Sequence, residues 1–207
     1  MLKKIIAFSL AEVLMVAGIA AVVGAMTIPN MKKSYEKKAR IAKAKTTFAT
    51  LDGAISQIDY TKVLRGKTTQ AQKAETMMNN LQNLVQFRYV CGLQSASTAC
   101  FSHSKITDST NDKQSMNAST FLTRANQSKF CSNAILKNGS EILLCMIYAT
   151  PYNDGTILND YHGAILVDVD GAKRGPNTRG QDVFAFNIGS TGLSYFPNSI
   201  EANLLDH

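Results

Sequence analysis

Histidine is scarce and poorly placed in this chain. His103, His162 and His207 are scattered, none lies at ligand spacing from a cysteine, and no CxxC pair occurs, which argues against a zinc centre. The catalytic signatures are missing too. There is no glycine-rich phosphate loop with its lysine, no G-x-S-x-G elbow, no HExxH helix, and no carboxylate pair in an apolar setting. Gly189-Ser190-Thr191-Gly192 reads as a turn, and no enzyme is expected. Charge is low at 18% of 207 residues, but 45% are hydrophobic, so the chain as a whole is not disordered. No internal repeat is present.

Acid is thin where base is dense. Lys32, Lys33, Lys37, Lys38, Arg40, Lys43 and Lys45 fall close together with Glu36 as the one acid among them, and they carry much of the net charge of +7. Such a run attracts phosphate, on lipid or on nucleic acid, although a solvated helix face would look the same.

From Ile5 to Asn30 the only charge is Glu12. A carboxylate costs about 2.5–3.5 kcal/mol near the centre of a membrane helix, and less near its end. Two readings of this start leave Glu12 unexplained. One is a secretory signal, with Lys3 and Lys4 leading an apolar stretch and cleavage after Ala25 in Val23-Gly24-Ala25. The other is a plain anchor over Phe8 to Ile28, long enough for about 30 Å of hydrocarbon.

A third reading accounts for it. Lys3-Lys4-Ile5-Ile6-Ala7, then Phe8-Ser9-Leu10-Ala11-Glu12, resembles the start of type IV prepilins and type II secretion pseudopilins. The resemblance implies a leader cut between Ala7 and Phe8 by prepilin peptidase, and N-methylation of Phe8. It puts Glu12 fifth in the mature chain and Pro29 where pilins often carry proline. Ala7 stands where the family more often has Gly. A carboxylate at that position is expected to pair with the Phe8 amine of a neighbouring subunit, which removes two charges from an apolar setting at once. Ala17, Gly18, Ala20, Ala21, Gly24 and Ala25 suit close helix approach. The expected organisation is a leader over 1–7, an apolar helix over 8–29, an amphipathic stalk over 30–66 and a globular domain over 67–207.

The rest of the chain fits an α+β order. Ile41, Ala44, Phe48, Leu51, Ile55 and Ile58 form an apolar stripe that predicts a helix over 30–63, with Asp52-Gly53 a weak point and Gly66 beyond its end. Met77, Met78, Leu81, Leu84 and Val85 predict a second helix within 70–90. Residues 94–120, crowded with Ser, Thr, Asn and Asp, read as a surface loop. Strands are expected at 134–136, 141–147, 164–169, 183–188 and 193–196, the first two joined at Asn138-Gly139. A long helix followed by an antiparallel sheet is also the order of the pilin fold. In an exported chain, Cys91, Cys100, Cys131 and Cys145 predict two disulfides, and nearness in sequence favours Cys91–Cys100 with Cys131–Cys145.

Val167 to Phe186 resembles the C-terminal part of a group of bacterial pilin-like proteins, through Asp168-Val169-Asp170-Gly171, Gly175-Pro176-Asn177 and Gly180-Gln181-Asp182-Val183-Phe184. Asp168, Asp170, Asn177 and Asp182 offer oxygens for a calcium ion, and some secretion pseudopilins hold calcium in an equivalent loop. Turn-forming Asp and Asn, with Lys173, Arg174 and Arg179 as salt-bridge partners, are the alternative. The family resemblance implies a structural filament subunit. It would span the bacterial inner membrane once, N-terminus in the cytoplasm, before entering a periplasmic or cell-surface filament of pilin-like subunits. Its rivals are a minor pilin that binds DNA through the basic stalk, and a secreted binding protein cleaved after Ala25.

Overall fold

A computed structural model describes residues 9–93, 100, 105–107, 115–117, 131–146, 162–171, 174–175, 177–196 and 199–205. The chain divides into two units, residues up to Ala39 and residues from Arg40 onward.

Helix α1 runs Leu10–Ile55 and contains Pro29. As far as Ile28, in the first unit, it is apolar and uncovered: Leu10, Val13, Leu14, Met15, Val16, Ile19, Val22, Val23, Met26 and Ile28 are all exposed. It is long and apolar enough to cross a membrane, by length and composition.

In the second unit, the last turns of α1 pack on an antiparallel sheet. The strands are β1 Phe87–Leu93, β4 Cys131–Leu136, β5 Glu141–Cys145, β6 Gly163–Asp168, β7 Val183–Gly189 and β8 Gly192–Ser194, lying side by side in that order. A separate hairpin pairs β2 Lys105–Thr107 with β3 Ser115–Asn117. Short helices α2 Tyr60–Val63, α3 Gln70–Gln82 and α4 Ile200–Leu205 complete the unit. Its described residues are therefore α+β.

Both faces of the central strands are buried, which is why β6 and β7 are apolar almost throughout instead of alternating with polar residues. One face sets Ala134, Ile142, Leu144, Ile165, Val167, Phe184 and Phe186 against Leu51 and Ile55 of α1 and Met77, Met78 and Leu81 of α3. Phe48 of α1 lies 4.9 Å from the Phe186 ring and stacks on Tyr195 at 5.0 Å. Aromatic contacts of this kind add about 0.5–1.5 kcal/mol beyond burial. The other face gathers Ile106, Leu143, Leu166, Ala185 and Phe196 around the Cys131–Cys145 disulfide. These two cysteines stand opposite each other in the β4–β5 register, and Cys91 joins Cys100.

Several boundaries differ from the sequence expectation. Helix α1 ends at Ile55, where Gln57 donates its side-chain amide to Gly53 O at 2.6 Å, and Asp59 Oδ1 accepts from Lys62 N to start α2. Asp52 and Gly53 lie in that last turn, and the Asp52 carboxylate also accepts from Leu193 N at 2.7 Å and occupies the outer edge of β8. Gly192, at φ 142°, permits this, since a Cβ there would strike that carboxylate. The second helix stops at Gln82, because Phe87 to Val90 pair with β4, where aromatic and β-branched side chains gain sheet packing. Thr69 and Gln72 start that helix with a reciprocal capping box. Within 94–120 the structure describes Cys100, β2 and β3, so that stretch is not wholly loop. Ile147 of the expected strand lies outside the described residues.

The C-terminal helix was not anticipated, and a buried ion pair holds it. Arg179 Nε and Nη2 donate to the two oxygens of Glu201 at 2.9 and 2.8 Å, and Ala185 N donates to the same carboxylate at 3.0 Å. Both side chains are almost wholly buried. Glu201→Ala leaves a buried guanidinium and a strand N–H without their acceptor, so a loss of about 3–5 kcal/mol is expected in urea unfolding. A loss below about 1 kcal/mol would show that the pair contributes little to stability.

Candidate functional site

Two places carry the residues singled out above. The first is the start of α1. Ala7 and Phe8 lie outside the described residues. Ser9 caps the helix, and Glu12 has a partner within its own segment: Glu12 Oε2 accepts from Ser9 N at 2.8 Å and from Ser9 Oγ at 3.1 Å, while Glu12 N donates to Ser9 Oγ at 3.3 Å. This is a capping box, and its sequence signal, Ser followed three residues later by Glu, is present in Ser9-Leu10-Ala11-Glu12. The carboxylate also lies beside the unsatisfied N–H groups of the first turn, where negative charge is favoured. Glu12 shares a shallow groove with Val13, Val16, Ala17 and Ala20, where small side chains leave the helix backbone open to a neighbour.

The second place is the end of the sheet where β6 leaves and β7 begins. Asp168 is fully buried; its Oδ1 accepts from Asp170 N at 3.0 Å and Gly171 N at 2.9 Å, which folds the chain back. Its Oδ2 is buried and has no hydrogen-bond partner among the described residues. Glu141 stands opposite it in the β5–β6 register. Asp182 accepts from Asn177 N at 2.8 Å and Thr178 N at 2.7 Å, which fixes the turn in which Asn177 adopts φ 51°.

Among the described residues, the cations that reach this loop come from α1. Arg40 Nε donates to Asp170 Oδ2 at 2.6 Å, and Lys43 Nζ donates to Val169 O. Arg179 is spent on Glu201, Arg174 is exposed, and Lys173 lies outside the described residues. Sequence reasoning missed Arg40, Lys43 and Glu141 here. Nothing in their spacing links them to this loop: Arg40 and Lys43 reach Asp170 and Val169 across more than a hundred residues, and Glu141 meets Asp168 only through the β5–β6 register. Asp168, Asp170 and Asp182 do gather at one end of the sheet, and from Asn177 the loop contributes its backbone N–H to Asp182. Among the described residues, no group of three or more His, Cys, Asp or Glu side chains is arranged to hold a metal ion.

Burial, then the charge of Asp182, and more weakly that of Glu141, push the Asp168 carboxyl from 3.8 up to about 7. Burial also raises Asp182, and desolvation lowers Lys43. For Asp168 the folded value exceeds the unfolded one, so the folded chain keeps a proton that the unfolded chain releases. Its contribution is fully present below about pH 4 and is lost as pH rises to about 7. At about 1.4 kcal/mol per pH unit, up to about 4 kcal/mol is involved. Asp168→Asn keeps the Oδ1 acceptor and removes the charge. Its melting temperature should fall less than the wild type's between pH 5 and pH 8, and equal falls in the two proteins would show that Asp168 is ionised throughout.

Comparison with protein-family models, with curated proteins and with solved structures finds no match for this chain.

Proposed function

We propose that this chain is a structural subunit of a type IV pilus-like or secretion pseudopilus filament, made with a leader that is cut before Phe8. The observation that carries this reading is the first unit: an apolar helix with exposed side chains and one carboxylate, Glu12, near its start. Such a helix needs a lipid or protein environment, and its small-residue groove beside Glu12 suits another helix of the same kind. The α+β order of the second unit agrees with a pilin-like domain behind that helix. Function is then mechanical: the helix holds the subunit in the membrane, and later packs it in the filament.

The capping box gives Glu12 a second role, and one substitution separates the two. Gln also serves at this position of a capping box, so Glu12→Gln keeps the hydrogen bonds to Ser9 but loses the charge. If the carboxylate pairs with the Phe8 amine of a neighbour, Glu12→Gln inserts in the membrane but assembles poorly, as does Glu12→Ala. Wild-type assembly of Glu12→Gln would reduce Glu12 to a helix cap. Mass spectrometry of the mature chain should show N-methylated Phe8; Met26 at the N-terminus would establish the signal-peptide reading instead.

The calcium reading centres on Asp168 Oδ2, a buried oxygen with no hydrogen-bond partner among the described residues. A cation there would replace the proton that burial otherwise retains. Millimolar calcium at pH 8 should then raise the melting temperature over that in chelator, because a ligand specific to the folded state stabilises it. An unchanged melting temperature would leave the loop as a structural turn held by Arg40 and Lys43.

A further inference from the structure

Six of the seven bases that follow the apolar run, all but Lys45, divide into two groups. Arg40 and Lys43 belong to the second unit and are engaged there, on Asp170 and Val169. Lys32, Lys33, Lys37 and Lys38 belong to the first unit and are exposed. Glu36, the one acid among them, is 3.8 Å from Lys32, and Lys33, Lys37 and Lys38 have no carboxylate partner among the described residues. Met31 and Tyr35, 71% and 75% exposed, lie among these lysines.

We propose that Lys32, Lys33, Lys37 and Lys38 form a binding surface for anionic phospholipid headgroups, in the leaflet at the C-terminal end of the apolar run. The proposal rests on the reading that Leu10 to Ile28 lies across a membrane. Depth and direction both support lipid. At about 1.5 Å per residue, Lys32 and Lys33 lie about 6–8 Å beyond Ile28. The headgroup layer on each side is about 5–8 Å thick, so they stand at the level of the phosphates. Lys37 and Lys38 are about one and a half turns further, and their long side chains can extend back toward the same layer. Tyr35 sits between them, and an aromatic ring with a polar tip suits that boundary.

At about 100° per residue, the four lysines point to about 0°, 100°, 140° and 240° around the axis. They surround the helix instead of lining one side. A lipid layer also surrounds a helix that crosses it, so all four charges find phosphates at once. A nucleic acid duplex approaches from one side and would leave at least one of them unused. Charge complementarity and continuity with the apolar run therefore both favour a lipid surface over nucleic acid.

The test uses the full chain in nanodiscs of phosphatidylcholine with a minority of phosphatidylglycerol. A Val16→Trp reporter and brominated acyl chains first show whether the apolar run lies in lipid. Trace spin-labelled phosphatidylglycerol or phosphatidylcholine then reports which headgroup the chain holds. The expected result is a several-fold preference for phosphatidylglycerol that weakens with salt. It should fall to near parity in the triple variant Lys33→Ala, Lys37→Ala, Lys38→Ala, and persist in Lys45→Ala. An unquenched reporter would overturn the membrane reading and this proposal together. A quenched reporter with no headgroup preference, or with a preference the triple variant retains, would overturn this proposal alone. So would duplex DNA that abolishes the preference at stoichiometric concentration, and it would assign the lysines to nucleic acid.

Discussion

Asp168 is a buried carboxylate, one of whose oxygens has no hydrogen-bond partner among the described residues, and much of its end of the sheet is arranged around it. The strand pattern forces the position. β6 must bury both faces, so the chain can turn polar only where the strand ends, and Asp168 is that last residue. One oxygen then nucleates the turn by accepting two backbone N–H groups. The other faces a setting already negative from Glu141 and Asp182. Like charges on neighbouring strands destabilise a sheet, so something must offset them. Arg40 and Lys43 reach this loop from α1, which ties the helix to the sheet by charge as well as by the apolar packing of Leu51, Ile55 and Phe48.

The parts of this fold that were legible in the sequence are those with a short-range cause. The Asn138-Gly139 hairpin is one: Gly139 takes φ 81°, and Asn138 Oδ1 accepts from Ser140 N, all within three residues. The apolar runs of β5, β6 and β7 are others, because burial on two faces leaves a continuous signature. The misreadings share an opposite cause. β1 is a strand because β4 lies beside it, and Phe87 to Val90 alone continue the apolar spacing of α3 convincingly. α4 is only six residues long and is fixed by Arg179, twenty-two positions away. Asp52 marks the last turn of α1, but its contact with β8, 141 positions away, left no trace in the sequence. At the candidate sites, Asp168, Asp170 and Asp182 were visible as a motif, but their cations were not, since a lysine in a basic run carries no mark of the carbonyl it will meet.

Under the proposed function, a local and an assembly role would share one residue, Glu12. In the single chain it completes a cap with Ser9, so it needs no distant partner to sit in an apolar helix start. That cap replaces part of the solvation which lipid would withhold. The carboxylate still keeps its charge available, and acceptor oxygens can take more than one donor. A neighbour's amine would therefore add to the cap without first having to displace it. The glutamate is then tolerable before assembly and more stable after it, an order of energies that a filament subunit requires.

The basic run extends the same logic along the helix. Seven bases within fourteen positions would repel one another if all faced water together, and the fold separates six of them by use. Arg40 pairs with the half-buried Asp170, and Lys43 donates to the Val169 carbonyl within the field of Asp170 and Asp168. Lys32, Lys33, Lys37 and Lys38 have a single acid to share and stand at the end of the apolar run. A purely solvated helix would gain nothing from placing its bases at that depth, and equal numbers of acids would serve as well. A helix held across a membrane gains from phosphates at that level on every side. Withdrawing it would then require giving up headgroup contacts as well as hydrocarbon ones, so the lysines set part of the work that any extraction step must do.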